Sequence, residues 1–181
     1  MKKESMVENM QITKAKTEDL AEIMEIYGRA RVFMQEHGNP SQWKEGYPST
    51  ELVKKDLENG ELYVCREGQD LAGVFMFSMQ PDPCYERIEA GAWKNDRPYG
   101  VMHRMASAGK VRGVASFCLD WCYARCGNVR GDTHRENTVM QQVFEKNGFE
   151  RCGIIYVEDG SPRIGYQRQK EAQADAFAAK K

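Results

Sequence analysis

Between Tyr99 and Ala115 the chain reads YGVMHRMASAGKVRGVA, a strand-like segment that passes through a short glycine-bearing loop directly into a helical pattern. That order leaves backbone N–H groups unpaired at a helix start, where the macrodipole adds positive potential and an anion is welcome. Lys110 and Arg112 stand at the same positive end, an arrangement the dipole opposes unless something negative binds there. A phosphate-bearing ligand is the simplest occupant. A Walker-type loop is excluded, because Gly-x-x-x-x-Gly-Lys-(Ser/Thr) does not occur and Val111 follows Gly109-Lys110.

Hydrophobic periodicity and turn chemistry organise the rest of the chain. Gln11 to Lys16 alternates as a strand, and Thr17 offers a cap for a helix with apolar positions at Leu20, Ile23, Met24, Tyr27, Ala30 and Met34. His37 to Thr50 is a loop carrying Trp43 and Tyr47, aromatics that either line a pocket or cover the domain's own core. Ser49 or Thr50 caps a second helix through Leu57, stopped by Asn59 and Gly60. Strands at Glu61–Arg66 and Leu71–Met79 follow, and the apolar run Val74 to Phe77 marks the latter as central and covered. Pro81 and Pro83 end it. The fourth strand, Tyr99–Ser107, feeds a third helix that runs to Arg125 and stops at Gly127, and Asn128–Thr133 is a fifth strand. A fourth helix spans Asn137–Asn147, with Met140, Val143 and Phe144 as its apolar side and Gly148 as its stop. Strands Arg151–Val157 and Arg163–Arg168 then flank Glu158-Asp159-Gly160-Ser161, whose Asp-Gly pair signals a hairpin.

The chain's 181 residues suffice for one domain, expected over residues 11–169 between a polar, disordered start (1–10) and a frayed alanine-rich tail (170–181). With 26 basic against 27 acidic residues and a net charge of −1, no general nucleic-acid or anionic-membrane surface is expected. No apolar run approaches the roughly 18 residues of a spanning helix, and the charged start lacks a signal-peptide core, so a cytoplasmic protein is expected. Of six cysteines, Cys118, Cys122 and Cys126 recur every four residues within the third helix, on or near the stripe of Val114, Phe117 and Trp121. Small buried hydrophobes account for them better than metal or iron–sulfur ligands, whose CxxC spacing is missing. No metal site is expected.

The order is β-α-α-β-β-β-α-β-α-β-β, and Lys110-Val111-Arg112-Gly113-Val114-Ala115 resembles the pyrophosphate loop of the GNAT superfamily of acetyl-CoA-dependent N-acetyltransferases, (Gln/Arg)-x-x-Gly-x-(Gly/Ala), with Lys110 in place of its first residue. A second block, Asp132-Thr133-His134-Arg135-Glu136-Asn137-Thr138-Val139-Met140 followed by Phe144, Gly148 and Phe149, is similar to the family's Asn-x-x-Ala-x-x-x-Tyr-x-x-x-Gly-Phe signature, from which Met140 and Phe144 depart. The resemblance spans about Gln11 to Arg168. It implies an α+β fold: a mixed, mostly antiparallel sheet of about seven strands flanked by four helices, with the fourth and fifth strands splayed. It also implies acetyl transfer from acetyl-CoA to an amine acceptor, and it allows a homodimer, which the family often forms.

By the same resemblance, backbone N–H groups from Val111 to Ala115 hold the pyrophosphate, while Met105, Ala106, Ser107, Asn137 and Phe144 lie beside the pantetheine arm. Deprotonating an amine of pKa about 10.4 near neutrality costs roughly 4 to 5 kcal/mol, so a base is wanted. His103 on the fourth strand is the leading candidate, against a packed strand histidine. His134 either reaches the cleft or anchors the turn into the fourth helix, and Glu86 and Glu89 are either carboxylate bases or solvated charges. Phe144 lacks the hydroxyl that protonates the departing sulfur in many family members. Tyr99, Tyr123 and Tyr156 are unplaced alternatives, and a thiol of pKa about 8.5 also leaves tolerably unprotonated. Trp43, Tyr47, Tyr85, Glu86 and Trp93 form the expected acceptor site, suited to a cationic amine. The alternative to a working enzyme is a noncatalytic acyl-CoA-binding module, suggested by Phe144 and Lys110.

Overall fold

The computed structural model describes residues 9–170. The expected polar start, apart from Asn9 and Met10, and the expected frayed tail, apart from Lys170, lie outside the described residues. The elements are β1 (Met10–Lys14), α1 (Leu20–Glu36), α2 (Thr50–Glu58), β2 (Leu62–Glu67), β3 (Asp70–Ser78), β4 (Gly100–Ser107), α3 (Val114–Cys126), β5 (Asn128–Thr133), α4 (Thr138–Lys146), β6 (Glu150–Tyr156) and β7 (Pro162–Gln169). They form one seven-stranded sheet in the order β1-β2-β3-β4-β5-β7-β6. Every neighbouring pair is antiparallel except β4 and β5. This is the mixed α+β architecture expected from the sequence.

Alternation along the strands sorts the core into two layers. Leu62, Val64 and Val74 face α1, meeting Ile23, Ile26 and Tyr27, whereas Cys65, Phe75 and Phe77 face α3, meeting Cys118, Leu119 and Cys122. Cys118 and Cys122 are therefore core side chains, as their spacing indicates, and half-buried Cys126 packs against the same cluster. A smaller cluster of Tyr85, Val101 and Ile155 lies under the segment that joins β3 to β4.

Local differences from the sequence expectation have identifiable causes. Thr17 does not cap α1: Thr17–Asp19 is a turn of 3-10 helix, in which Asp19 accepts the Lys16 N–H at 3.0 Å. The start of β1 shifts back to Met10, which is buried. Ser49, not Thr50, caps α2, accepting the Leu52 N–H at 3.1 Å. The loop before α3 is longer than its first glycine suggests, because Gly113 as well as Gly109 adopts a left-handed backbone and the helix begins only at Val114.

The feature that positions the site is a bulge in β4. Val74 pairs with Ala106 and Met76 with His103, so Arg104 and Met105 together oppose the single residue Phe75. Arg104 takes a φ of +53°, a left-handed value that disfavours a side chain by about 1 to 2 kcal/mol. Two contacts from the α1–α2 layer hold it there. Its Nε and Nη2 donate to the two carboxylate oxygens of buried Asp56 at 2.9 and 2.8 Å, and its carbonyl accepts the Tyr27 hydroxyl at 3.0 Å.

Asp56→Ala leaves the Arg104 guanidinium buried without its counter-charge. The expected loss is about 3 to 5 kcal/mol of unfolding free energy, read as a lower urea midpoint at unchanged m. A loss below about 0.5 kcal/mol, the size of an ordinary surface change, would show that this pair does not hold the bulge.

Candidate active site

β4 and β5 pair only at Gly100–Val129 and Val101–Arg130 and then diverge. Into the gap opens a cleft of about 1050 Å³. Met102, His103 and Met105 of β4 line it with Asp132 and Thr133 of β5, Asn137 at the cap of α4, and Met140 and Phe144 within that helix. Its other mouth lies between the α1–α2 loop, with Trp43 and Tyr47, and the β6–β7 hairpin, where Lys44 and Asp159 join across it at 2.8 Å.

Beyond the end of β4 the chain turns at Gly109 and Gly113, both at positive φ (79° and 82°), before entering α3. Among the described residues no acceptor meets the backbone N–H groups of Val111 to Ala115, and no side chain caps the helix. Lys110, Arg112 and Gly113 are exposed. A left-handed residue followed by open helical amides makes an anion-binding concavity, and the adjacent cations reinforce it. This donor set, built of backbone amides and two cations, fits a diphosphate. Among the described residues no cluster of three or more His, Cys, Asp or Glu side chains is arranged to hold a metal ion.

In the cleft, His103 lies between two carboxylates. Its Nε2 is 2.6 Å from Asp82 Oδ2, and its Nδ1 is 3.6 Å from Asp132 Oδ2, too long for a direct hydrogen bond. Asp82 comes from the Pro-flanked segment after β3, where it also accepts the Cys84 N–H at 2.8 Å. The buried Tyr85 hydroxyl donates to Asp132 at 2.7 Å. Burial opposes the Asp82 charge, but the hydrogen bond and charge of His103, with the Cys84 amide, outweigh it and hold the carboxyl below its usual range. Burial, then the charge and hydrogen bond of Asp132, push the Tyr85 hydroxyl well up, so that it stays a donor. Burial and the Asp82 charge push the Cys84 thiol up to about 11.

In the tautomer that gives Nε2–H to Asp82, a neutral ring has its Nδ1 lone pair 3.6 Å from the Asp132 oxygen. Two acceptors that close cannot bond each other, an arrangement suited to a donor such as an ammonium group.

The other expected site residues are dispersed. Trp43 and Tyr47 line the cleft, Trp43 packing edge-on against Tyr27 at 5.7 Å. Tyr85 and Trp93 do not: Tyr85 is buried beneath His103, and Trp93 donates to the Tyr85 carbonyl at 2.8 Å. Glu86 is exposed at the end of a short turn, and Glu89 accepts from the Tyr156 hydroxyl at 3.0 Å. His134 stands outside the cleft lining, its Nδ1 accepting the Glu136 N–H at 3.2 Å; burial, then the charge of Arg163, lowers its pKa. Asn137 caps α4 by accepting from Met140, and its amide donates to Gln42. Phe144 lines the cleft, stacked on Tyr166 at 4.9 Å and fitted over Gly131, where an added Cβ would lie 2.8 Å from its ring. Of the three unplaced tyrosines only Tyr156 borders the cleft.

Asp82, Asp132 and Arg163 join the site without being expected there from the sequence. A single aspartate between two prolines is the one local signal for Asp82. Asp132 lies inside the second family block, where its neighbour His134 is the more conspicuous titratable group.

No protein-family model matches the chain, and no curated protein sequence does. Solved structures do. A GNAT-family acetyltransferase from Streptococcus agalactiae 2603 is 30% identical, with a TM-score of 0.83, over 91% of this chain and 98% of that one. A GNAT-family acetyltransferase from Bacillus cereus ATCC 10987 is 21% identical with a TM-score of 0.60, over 90% of this chain and 99% of that one. The yncA protein of Salmonella typhimurium, solved with its cofactor acetyl-CoA, is 18% identical with a TM-score of 0.60, over 94% of this chain and 99% of that one. The last two likenesses are likenesses of fold.

His103→Ala removes the two largest influences that lower the Asp82 carboxyl and leaves only the Cys84 hydrogen bonds to oppose burial, which raises it. The carboxyl is therefore expected to titrate higher in the variant than in the parent, followed by carbon NMR of the Asp82 side chain; an unchanged midpoint would show that the two groups are not coupled. In the parent protein the depressed carboxyl adds stability above the unfolded-state value of about 3.9, and that stability is lost as pH falls through the lower folded value.

Proposed function

This chain belongs to the GNAT family of acetyltransferases, and on that premise we propose that it transfers the acetyl group of acetyl-CoA to a primary amine by direct attack on the thioester. What supports the proposal is one juxtaposition along the chain: β4, which parts from β5 after Val101, carries a carboxylate-paired imidazole at His103 and leads through the turn of open amides at Val111–Ala115 into α3. Bound acetyl-CoA supplies an activated acyl group at that gap.

The chain's own residues then divide the work. Backbone amides of Val111 to Ala115 bind the diphosphate, with Lys110 and Arg112 beside them. Met105, Ala106 and Ser107 present the edge of β4 that the bulge frees from β5, and Asn137 and Phe144 close the opposite wall. His103 takes the proton of the acceptor ammonium at Nδ1, while Asp82 fixes the ring through Nε2–H and stabilises the charge it gains. Asp132 holds the ammonium before that transfer, itself oriented by the Tyr85 hydroxyl. A backbone N–H of β4 near Met105 to Ser107 meets the charge that develops on the thioester oxygen. Phe144 contributes packing but no proton, so the sulfur leaves as thiolate.

Phe144, with Lys110 in the loop before α3, also favours the noncatalytic alternative, an acyl-CoA-binding module. Free-thiol release from acetyl-CoA across an amine panel separates the two. Turnover is expected, with His103→Ala lowering kcat/KM by about 10²- to 10⁴-fold and Asp82→Asn lowering kcat while CoA affinity, read by calorimetry, stays near the parent value. Tight CoA binding with no turnover on any amine would establish the binding module instead.

A further inference from the structure

Arg163, near the start of β7, is a buried cation that the acetyl-transfer chemistry leaves without a task. Its residue is only 8% exposed, and it lines the acceptor end of the cleft. Its guanidinium donates to two carbonyls, Pro162 at 3.0 Å and Gln42 at 3.5 Å, and among the described residues no Asp or Glu forms an ion pair with it.

The other two buried guanidinium groups are provided for. Arg104 holds Asp56 through two bonds, and Arg130 is sandwiched between the rings of Trp93 and Tyr99 at 4.4 and 3.9 Å, away from the cleft. A desolvated charge is costly unless a counter-charge meets it. Arg163 borders open space, where a ligand's anion can do so. The planar fork of a guanidinium matches a carboxylate in two parallel bonds.

Sheet register places this cation relative to the amine position. Asp132 pairs with Gly165, and Arg163 lies two residues before Gly165 on the same strand, so both side chains belong to one face of the sheet. The acceptors at His103 Nδ1 and Asp132 thus share a cleft with a cation on a diagonal of that face. At the mouth, Lys44 is already engaged by Asp159, and Glu158 is a further acid on the lining, so a free carboxylate is steered away from the turn of the hairpin and toward Arg163 on its second strand.

We propose that the acceptor is an amino acid, or an amine of that type, whose ammonium sits between His103 and Asp132 and whose carboxylate docks on Arg163. The inference rests on the acetyl-transfer reading of the cleft only for the chemistry, not for the binding.

The test pairs each proteinogenic L-amino acid with its carboxamide, which keeps the amine and removes the anion. Two readouts are taken on the full chain: thiol release from acetyl-CoA, and calorimetric binding of the same compounds to the CoA-loaded protein. A preference for acid over carboxamide of about 10- to 100-fold is expected, the range of a charged hydrogen-bonded pair. It should act mainly through KM, collapse toward unity in Arg163→Gln and persist in part in Arg163→Lys. Turnover of acids and carboxamides alike in the parent protein overturns the proposal and leaves acetyl transfer standing. Arg163-dependent binding of acids without turnover of any amine supports the ligand class and removes the transferase. Neither binding nor turnover of any acid overturns the proposal, and acetyl transfer falls with it only if no amine of the wider panel releases thiol either.

Discussion

The pairing of Arg104 with Asp56 sets the course of β4, and the rest of the site follows from that course. A non-glycine residue in a left-handed conformation persists only where its surroundings over-determine it. Here a two-pronged ion pair from α2 and a hydroxyl from α1 hold both ends of the same residue. The bulge they hold bends β4 within a sheet that stays paired on the β3 side and opens on the β5 side. A gap between central parallel strands would ordinarily be closed by main-chain hydrogen bonds. In this fold it becomes a cleft whose lining is part backbone and part side chain.

The two parts of the proposed site differ in what builds them. At the entry to α3 the proposed cofactor donors are main-chain amides released by helix geometry at Gly113, which few substitutions would remove. Toward the α1–α2 loop and the β6–β7 hairpin the recognition elements are individual side chains: Asp82, His103, Asp132, Arg163 and the aromatic pair Trp43–Tyr47. A shared cofactor with variable acceptors is the division expected when function is grafted onto a common fold through its loops. Gln42 ties the α1–α2 loop to the start of α4, since its side-chain oxygen accepts from the amides of Asn39 and Asn137.

Features set by local pattern were legible in the sequence. The order of elements, the central place of β3, the cysteine stripe of α3 and the glycine-bearing entry to that helix follow from periodicity and turn chemistry acting over a few residues. Features set by contact between distant segments were not. Arg104 and Asp56 are 48 residues apart, and nothing in either neighbourhood marks them as partners. Tyr85 and Trp93 read as ligand-binding aromatics because, with Glu86, they make an aromatic and acidic set suited to a cationic amine, yet Tyr85 folds under β4 and draws Trp93 with it. Asp82 meets His103 across 21 residues, through a proline-flanked turn whose direction no propensity specifies. In each case a side chain found its role through tertiary packing, which single-residue type does not encode.

The central claim is that main-chain amides at the entry to α3 and the freed edge of β4 together receive the cofactor. Titrating the isotope-labelled chain with CoA and following its backbone amide resonances tests it most directly. The account predicts that the largest shifts fall on Val111 to Ala115 and on Met105 to Ser107, saturating together. Saturable CoA binding that leaves both sets unmoved, with the changes gathered on another face of the sheet, would contradict it.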